Sequence, residues 1–340
     1  MDAEEEKKAK EKFDWKAIKP SITVTGIFFV IAISLGILFH IFYFFNFMYI
    51  GSAIGITSVL MKLVAKKNRY KARQLCQLLI GGYIFIGIGC GLIFVFLSYI
   101  SPENMQLEGF WFWLLAGSFA AGVLHYVIAK IFGPFIFNRG WCGWACWTAA
   151  VLDYLPWKKS PGRVPKIGVI RYVHFAISTV LVFLLVYGFN YTLSNTRGYV
   201  IWNEVTLSPV YASLWQIPDF WWFILGNSFY YVIGIGLAVV FKDNRAFCKY
   251  ICPITPFLKV GSKFALMKIE GDAENCTECR ACERACPMDI LIVEYIQQGL
   301  RISSSECILC DGCIYACPNN LLKTTNKWDK RTPNYLQYRE

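Results

Sequence analysis

Charge and histidine are scarce in this chain. Only 17% of its 340 residues are charged, and His40, His125 and His174 are its only histidines. A soluble globular domain carries about 25% charged residues, so the shortfall argues against one. No general acid, nucleophile or phosphate-cradling glycine loop stands out, so no catalytic residue is assigned. The first residues do not read as a secretory leader either. Met1–Pro20 mixes Asp2, Glu4, Glu5 and Glu6 with Lys7, Lys8, Lys10 and Lys12, and the apolar run that follows is too long for a signal peptide and has no small-residue cleavage site. Nucleic acid is not an expected partner either. The net charge of +11 divides into +13 over residues 1–266 and −2 over residues 267–340, so the excess sits in loops flanking apolar runs. There it sets topology and meets anionic lipid.

What is abundant is apolar: 56% of residues are hydrophobic and 17% aromatic. They are bunched into runs near the roughly 20 residues that cross a bilayer. The expected spans are Ser21–Phe45, Asn46–Ala65, Leu75–Ile100, Phe110–Phe132, Gly168–Tyr187 and Phe220–Phe241. Ser21–Ala65 reads as two helices turning near Asn46, or as one helix with a re-entrant piece. Lys66, Lys67, Arg69, Lys71 and Arg73 crowd one loop, and Lys158, Lys159, Arg163, Lys166 and Arg171 another. Taking these as cytoplasmic puts both termini inside and requires an even number of spans, which six satisfy. The expectation is a mostly α protein of a prokaryotic inner membrane. Residues 1–20 form a cytoplasmic segment, 21–266 the transmembrane part, 267–325 a small cytoplasmic α+β domain and 326–340 a tail.

The 14 cysteines do not read as the disulfide framework of a small secreted domain. Eight form two runs, Cys276-x2-Cys279-x2-Cys282-x3-Cys286-Pro287 and Cys307-x2-Cys310-x2-Cys313-x3-Cys317-Pro318. This spacing wraps thiolates around cubane iron–sulfur clusters. Zinc sites use two separated pairs or include His, which a repeated triple with a trailing Cys-Pro does not match. The region from about Ala265 to Thr325 resembles a bacterial two-cluster ferredoxin, in which the fourth cysteine of each run serves the other cluster. The resemblance assigns Cys276, Cys279, Cys282 and Cys317 to cluster one, and Cys307, Cys310, Cys313 and Cys286 to cluster two. Each proline is expected to start a short helix. Strands are expected near Leu291–Glu294 and Leu300–Ser303.

Four more cysteines stand in pairs. Phe110–Phe119 is similar to Phe220–Phe229, and each copy is followed by Arg-x-aromatic-Cys-x3-Cys: Arg139 to Cys146, then Arg245 to Cys252. Both copies are expected to run from outside to inside as parallel repeats. If each CxxxC lies on a helix, Cys142 and Cys146 share a face, as do Cys248 and Cys252. The segments 139–155 and 245–266 would then present four thiolates to one centre, an iron–sulfur cluster or zinc. The alternative is simple packing or local dithiols. Cys76 and Cys90 read as packing residues.

These motifs together resemble the NapH-type membrane polyferredoxins, over about Phe110 to Thr325 well and the first three spans loosely. The resemblance implies quinol oxidation and electron delivery in anaerobic respiration. Its expected partners are ferredoxin-like, iron–sulfur or flavoprotein subunits, with menaquinone or ubiquinone as a possible cofactor and a quinol dehydrogenase subunit as the possible enzyme. A departure is Trp147, which replaces the proline expected after Cys146. His125 and His174 come to a similar depth near the cytoplasmic side, as quinone contacts, haem ligands or plain inter-helix hydrogen-bond partners. His40 falls near the outer face. A relay subunit without a quinone site and a redox sensor or maturation factor are the alternative functions.

Overall fold

The structure, a computed structural model, describes residues 15–39, 42–97, 104–117, 121–157, 160–192, 214–329 and 333–339; His40 lies outside them. It is mostly helical, with one two-stranded sheet among the described residues. Among the described residues, five helices are long and apolar enough to cross a bilayer, Ser21–Leu38, Asn46–Leu63, Arg69–Gly89, Ile167–Gly188 and Pro218–Phe241, and Gly122–Phe137 is a shorter apolar one. These mark the chain as a membrane protein.

Helices α1 (Trp15–Phe39) and α2 (Asn46–Leu63) form an antiparallel hairpin, the first of the two readings of Ser21–Ala65. Small residues let their backbones approach, as membrane helix pairs require. Ser21 Oγ donates to Ser58 Oγ at 2.8 Å, and Thr25 Oγ1 to the Gly51 carbonyl at 3.2 Å. The third helix, α3 (Arg69–Gly82), runs on as a π-helical segment to Gly89 and begins earlier than Leu75. Arg73, Gln74 and Gln77 are therefore buried helical residues. After it comes α4 (Leu92–Leu97).

The expected span Phe110–Phe132 is not one helix. Its first part is α5 (Leu107–Leu115); its second is α6 (Ala121–Tyr126), which continues through a π turn into α7 (Gly133–Phe137). Phe110 stacks on Tyr126 with centroids 4.7 Å apart. On a continuous helix these positions would stand about 24 Å apart, so the chain doubles back. Gly117 at φ +70° serves the turn, a conformation free of cost only for glycine. Before α5 the chain is extended, with Asn104 and Gln106 buried; irregular backbone at membrane depth survives only inside protein.

Helix α10 follows α8 (Gly140–Trp144) and α9 (Trp147–Leu152) and covers Ile170–Phe183. Glu108 meets Ser178, and Trp111 meets Phe183, so α5 runs parallel to α10. The long helix α11 (Pro218–Phe241) is antiparallel to α10, with Tyr230 against His174 near one end of α10 and Trp222 against Tyr191 beyond its other end. The described part of the first copy, residues 110–117, and the second copy, 220–229, thus run in opposite directions. Their parallel alignment is corrected: the aromatic likeness falls on the short helix α5 in one copy and on the long helix α11 in the other.

Two short helices lead onward, α12 (Ala246–Tyr250) and α13 (Thr255–Ser262). Strand β1 (Met267–Glu270) then pairs antiparallel with β2 (Lys323–Asn326), Met267 opposite Asn326 and Glu270 opposite Lys323. The sheet joins the two ends of the Cys-rich region. Arg301 stitches it, donating to the carbonyls of Leu266 and Thr325. Helices α14 (Ala281–Arg284), α15 (Ile292–Gln297) and α16 (Gly312–Ala316) lie between the strands.

The strands expected at Leu291–Glu294 and Leu300–Ser303 are therefore corrected. Ile292, Val293, Tyr295 and Ile296 are buried at helical spacing. Glu283 Oε1 accepts from the Val293 N–H at 2.9 Å, and Gly299 at φ +64° closes the helix with bonds from Gly299 N–H to Ile296 and from Leu300 N–H to Tyr295. That is a Schellman ending. Leu300–Ser303 reaches β1 only through the Ile302 N–H bond to Ile269.

Candidate metal centres

The two cysteine runs fold alike. Left-handed backbone occurs at Glu278, Arg280 and Asp289, and again at Leu309, Asp311 and Asn320, the same places in each run. Such residues cost about 1–3 kcal/mol each and persist only where the surroundings demand them. Alternating handedness turns successive N–H groups inward, making an anion-binding nest. Pro287 and Pro318 do not start helices. Each follows its cysteine at the second position of a turn, closed by Asp289 N–H to Cys286 (3.5 Å) and Asn320 N–H to Cys317 (3.4 Å). Proline suits that position, and Asp or Asn tolerates the left-handed residue after it.

Each run contributes to two cavities. One is lined by Cys286, Cys307, Cys310 and Cys313. The other is lined by Cys276, Cys279, Cys282 and Cys317. The fourth cysteine of each run thus faces the cavity of the other. Among the described residues no group of three or more metal-binding side chains converges as around a single ion. Thiols spaced around a void suit a cluster that fills it, not one zinc ion with bonds near 2.3 Å. Burial pushes the thiols of Cys282 up to about 11 and Cys286 up to about 12, so loading must displace protons. Cys279 is exposed, whereas Cys307 and Cys313 are buried.

The CxxxC segments do not carry both cysteines on one helix. Cys142 lies on α8, but Cys146 is extended at φ −67°, ψ 120° and precedes α9. Cys248 lies on α12, and Cys252 follows its end. The local fold is nonetheless the same twice. The N–H groups of Ala145 and Cys146 share the Trp141 carbonyl, and those of Ile251 and Cys252 share that of Phe247. The shared pattern adds an i→i−5 bond that widens the last turn and ends each helix. The copies part at Trp147: without the proline, α9 starts at once, and Trp147 Nε1 donates to Asn227 Oδ1 at 2.8 Å. After Cys252, Pro253 makes a turn before α13. The four thiols lie within electrostatic reach of one another: Cys142 and Cys252 both raise the cost of ionising Cys146, and Cys142 and Cys146 that of Cys248. Arg245 bridges the copies, donating to the Cys142 carbonyl (2.9 Å) and contacting Cys248 Sγ (3.9 Å).

The first CxxxC segment is docked on the first cavity. Arg139 N–H donates to the Cys307 carbonyl, and Trp144 Nε1 to that of Leu309 at 2.7 Å. A Cβ on Gly143 would lie 2.3 Å from the Ile308 carbonyl oxygen. Gly143→Ala is expected to cost about 1–3 kcal/mol by overpacking and to loosen this contact. Limited proteolysis would show faster cleavage around Ser262–Leu266 than in wild type.

Sequence reasoning missed the charge hubs. Glu306 is 1% exposed and takes four cations: Arg139 (2.6 Å), Arg163 (3.1 Å), Arg171 (3.0 Å) and Lys259 (3.0 Å). Lys249 holds Asp243 (2.7 Å) and Asp289 (2.5 Å), and Asp153 holds Arg73 (2.8 Å) and Arg245 (2.6 Å). Lys66 Nζ donates to the Cys317 carbonyl at 2.6 Å. Lys66, Arg163 and Arg171, read as topology signals, therefore also clamp the Cys-rich region to the helices. The signal available was the opposite sign of the two parts, +13 against −2.

The histidines meet different residues. His174 Nδ1 lies 2.9 Å from the Ile251 carbonyl, as the plain hydrogen-bonding alternative expects. His125 sits edge-on to Trp141 at 4.5 Å, and its buried Nε2 has no hydrogen-bond partner. Lys130 caps the other approach to Trp141, 3.9 Å above its ring.

A family model described as a 4Fe-4S dicluster domain matches residues 275–322. A second, a 4Fe-4S binding domain, matches twice, at 111–164 and 228–270, and so takes in both CxxxC segments. The ferredoxin-type protein NapH of Escherichia coli is 22% identical over 56% of this chain and 63% of its own length. The methylamine utilization ferredoxin-type protein MauN of Methylorubrum extorquens is 27% identical over 65% of this chain and 74% of its own. An uncharacterized protein of Methanocaldococcus jannaschii is 36% identical over 27% of this chain, which spans 35% of that relative. No solved structure is significantly similar.

Proposed function

We propose that this chain, which is of the NapH-type polyferredoxin kind, passes electrons between the quinone pool and iron–sulfur partners. Both matching family models are 4Fe-4S domains, and NapH and MauN are ferredoxin-type proteins, which supports iron–sulfur electron transfer. In the finer reading Cys276, Cys279, Cys282 and Cys317 hold one [4Fe-4S] cluster, and Cys286, Cys307, Cys310 and Cys313 a second. Cys142, Cys146, Cys248 and Cys252 share a third. Bound clusters supply one-electron chemistry. The chain's own residues fix thiol positions, exclude water and place cations beside them.

The observation that carries this reading is the seat of Gly143 and Trp144 on the Ile308–Leu309 backbone. It joins the membrane cysteines to one cavity, while exposed Cys279 in the other cavity offers an exit to a soluble redox partner. Six crossings with cytoplasmic termini in a prokaryotic inner membrane complete the proposal, the shorter Gly122–Phe137 helix serving as the fourth crossing. A relay without a quinone site is the second reading; the hydrogen bond that already satisfies His174 favours it.

An anaerobic redox titration followed by EPR, with iron and quinone measured on the same sample, tests this. Two cubanes give about 8 iron per chain and a third cluster about 10 to 12. Cys142→Ser and Cys248→Ser are each expected to return the count to about 8. A wild-type count near 8 removes the third cluster.

A further inference from the structure

Among the described residues of the membrane part, one carboxylate oxygen and two tyrosine hydroxyls that face a common neighbourhood are buried without a hydrogen-bond partner. Glu108 Oε1 accepts from Ser178 Oγ at 2.6 Å, but its Oε2 is buried and unpaired. The hydroxyls of Tyr126 and Tyr230 are likewise buried and unpaired, in side chains 0% and 5% exposed. These groups come from α5, α6 and α11, and each tyrosine lies within electrostatic reach of Glu108 and of Cys252. Native proteins rarely leave such atoms orphaned, since each costs about 1–3 kcal/mol. Ser178 stands roughly 16 Å along Ile167–Gly188, near the middle of a core about 30 Å thick. A carboxylate at that depth marks function by default.

We propose that Glu108, Tyr126 and Tyr230 bind the head group of a quinone or quinol beside the membrane cysteines. The inference rests on the quinone reading above and names its site. A quinol presents two hydroxyls, and a quinone two carbonyls, on a flat apolar ring. The Glu108 carboxylate accepts from a quinol hydroxyl, and the tyrosine hydroxyls donate to the opposite oxygen. Phe110, stacked on Tyr126 and edge-on to Phe257 at 5.6 Å, supplies an aromatic wall. Lipid lies one helix away, because α10 buries Ser178 while exposing Val173, Ile177 and Val180. His174, edge-on to Tyr230 at 5.9 Å, then orients that ring and does not hold the head group itself.

The test is equilibrium binding of a hydroxyquinoline N-oxide, a redox-inert quinol analogue, to cluster-loaded protein in detergent. Quinol-dependent bleaching of the clusters is followed in parallel. Wild type is expected to bind one analogue per chain. Glu108→Gln, Tyr126→Phe and Tyr230→Phe are each expected to weaken it about ten-fold, one lost buried hydrogen bond, with iron content and dithionite reduction unchanged. If wild type binds and bleaches while all three variants match it, the site is elsewhere and the quinone reading stands. If wild type neither binds nor bleaches, yet dithionite reduces it, the quinone reading itself falls. If water alone satisfies the three oxygens, the variants leave binding untouched, which overturns the assignment. Should Glu108→Gln lose iron, Ser178→Ala, which frees the carboxylate without removing it, takes its place; unchanged binding there counts equally against the site.

Discussion

Replacing Glu306 by Gln is expected to destabilise the docked Cys-rich region by about 3–5 kcal/mol, the usual cost of removing one partner from a buried ion cluster. Arg139, Arg163, Arg171 and Lys259 all point their charge at this one carboxylate. The amide keeps the shape and leaves four cations without an anion. Glu306→Asp, which retains the charge on a shorter stem, is expected to recover part of the loss. Thermal release of cluster absorbance and protease sensitivity near Ser262 read the effect. A Gln variant with wild-type thermal behaviour would show that the hub is ornamental. The pH dependence has a definite sign. Burial alone would raise the Glu306 pKa, but the four cations prevail and hold it well below the ordinary glutamate range. Its contribution is complete above about 4.3, the unfolded value, and is lost only as pH falls through the depressed folded value. Docking is therefore expected to survive at pH 5 in wild type.

The second large effect concerns the crossed cysteines. Cys286 belongs to the first run but lines the cavity of the second, and Cys317 does the reverse. Cys286→Ser is expected to erase the same EPR signal as Cys310→Ser, with about four fewer iron atoms per chain or conversion to a three-iron species. Cys317→Ser is expected to match Cys279→Ser. Spectra that pair Cys286 with Cys279 instead would refute crossed ligation. Because Cys286 and Cys310 sit in the cavity next to Gly143, their loss is also expected to stop electrons passing outward from the membrane cysteines, while direct chemical reduction of the remaining outer cluster continues.

Much of this architecture is readable from residue order because it rests on local spacing. Two cysteine triples with trailing Cys-Pro define their loops within a dozen residues, and apolar runs define helices by length alone. The failures share a cause, in that tertiary contacts override a local preference. Phe110–Phe132 is apolar throughout, so composition cannot reveal a fold at Gly117; the stacking of Phe110 on Tyr126 decides it. Leu291–Glu294 is rich in β-formers, yet Glu283 caps its N–H groups and Gly299 ends it as a helix. CxxxC permits a shared helical face, but each helix ends before Cys146 or Cys252, and thiols from two segments come into one neighbourhood. The partners of Glu306 lie between 47 and 167 positions away; no window along the sequence joins them.

The charge hubs also bear on turnover in the cell. Four cations face one carboxylate at Glu306, and two face Asp153. The interior is over-positive until thiolates supply the missing negative charge. A newly made chain that fails to acquire iron keeps that imbalance, opens more often, and spends more time exposed to proteases, where even 1–2 kcal/mol changes abundance several-fold. The excess of arginine around the cysteines is thus expected to shorten the life of chains left unfilled, which a pulse-chase comparison of iron-replete and iron-starved cells would show.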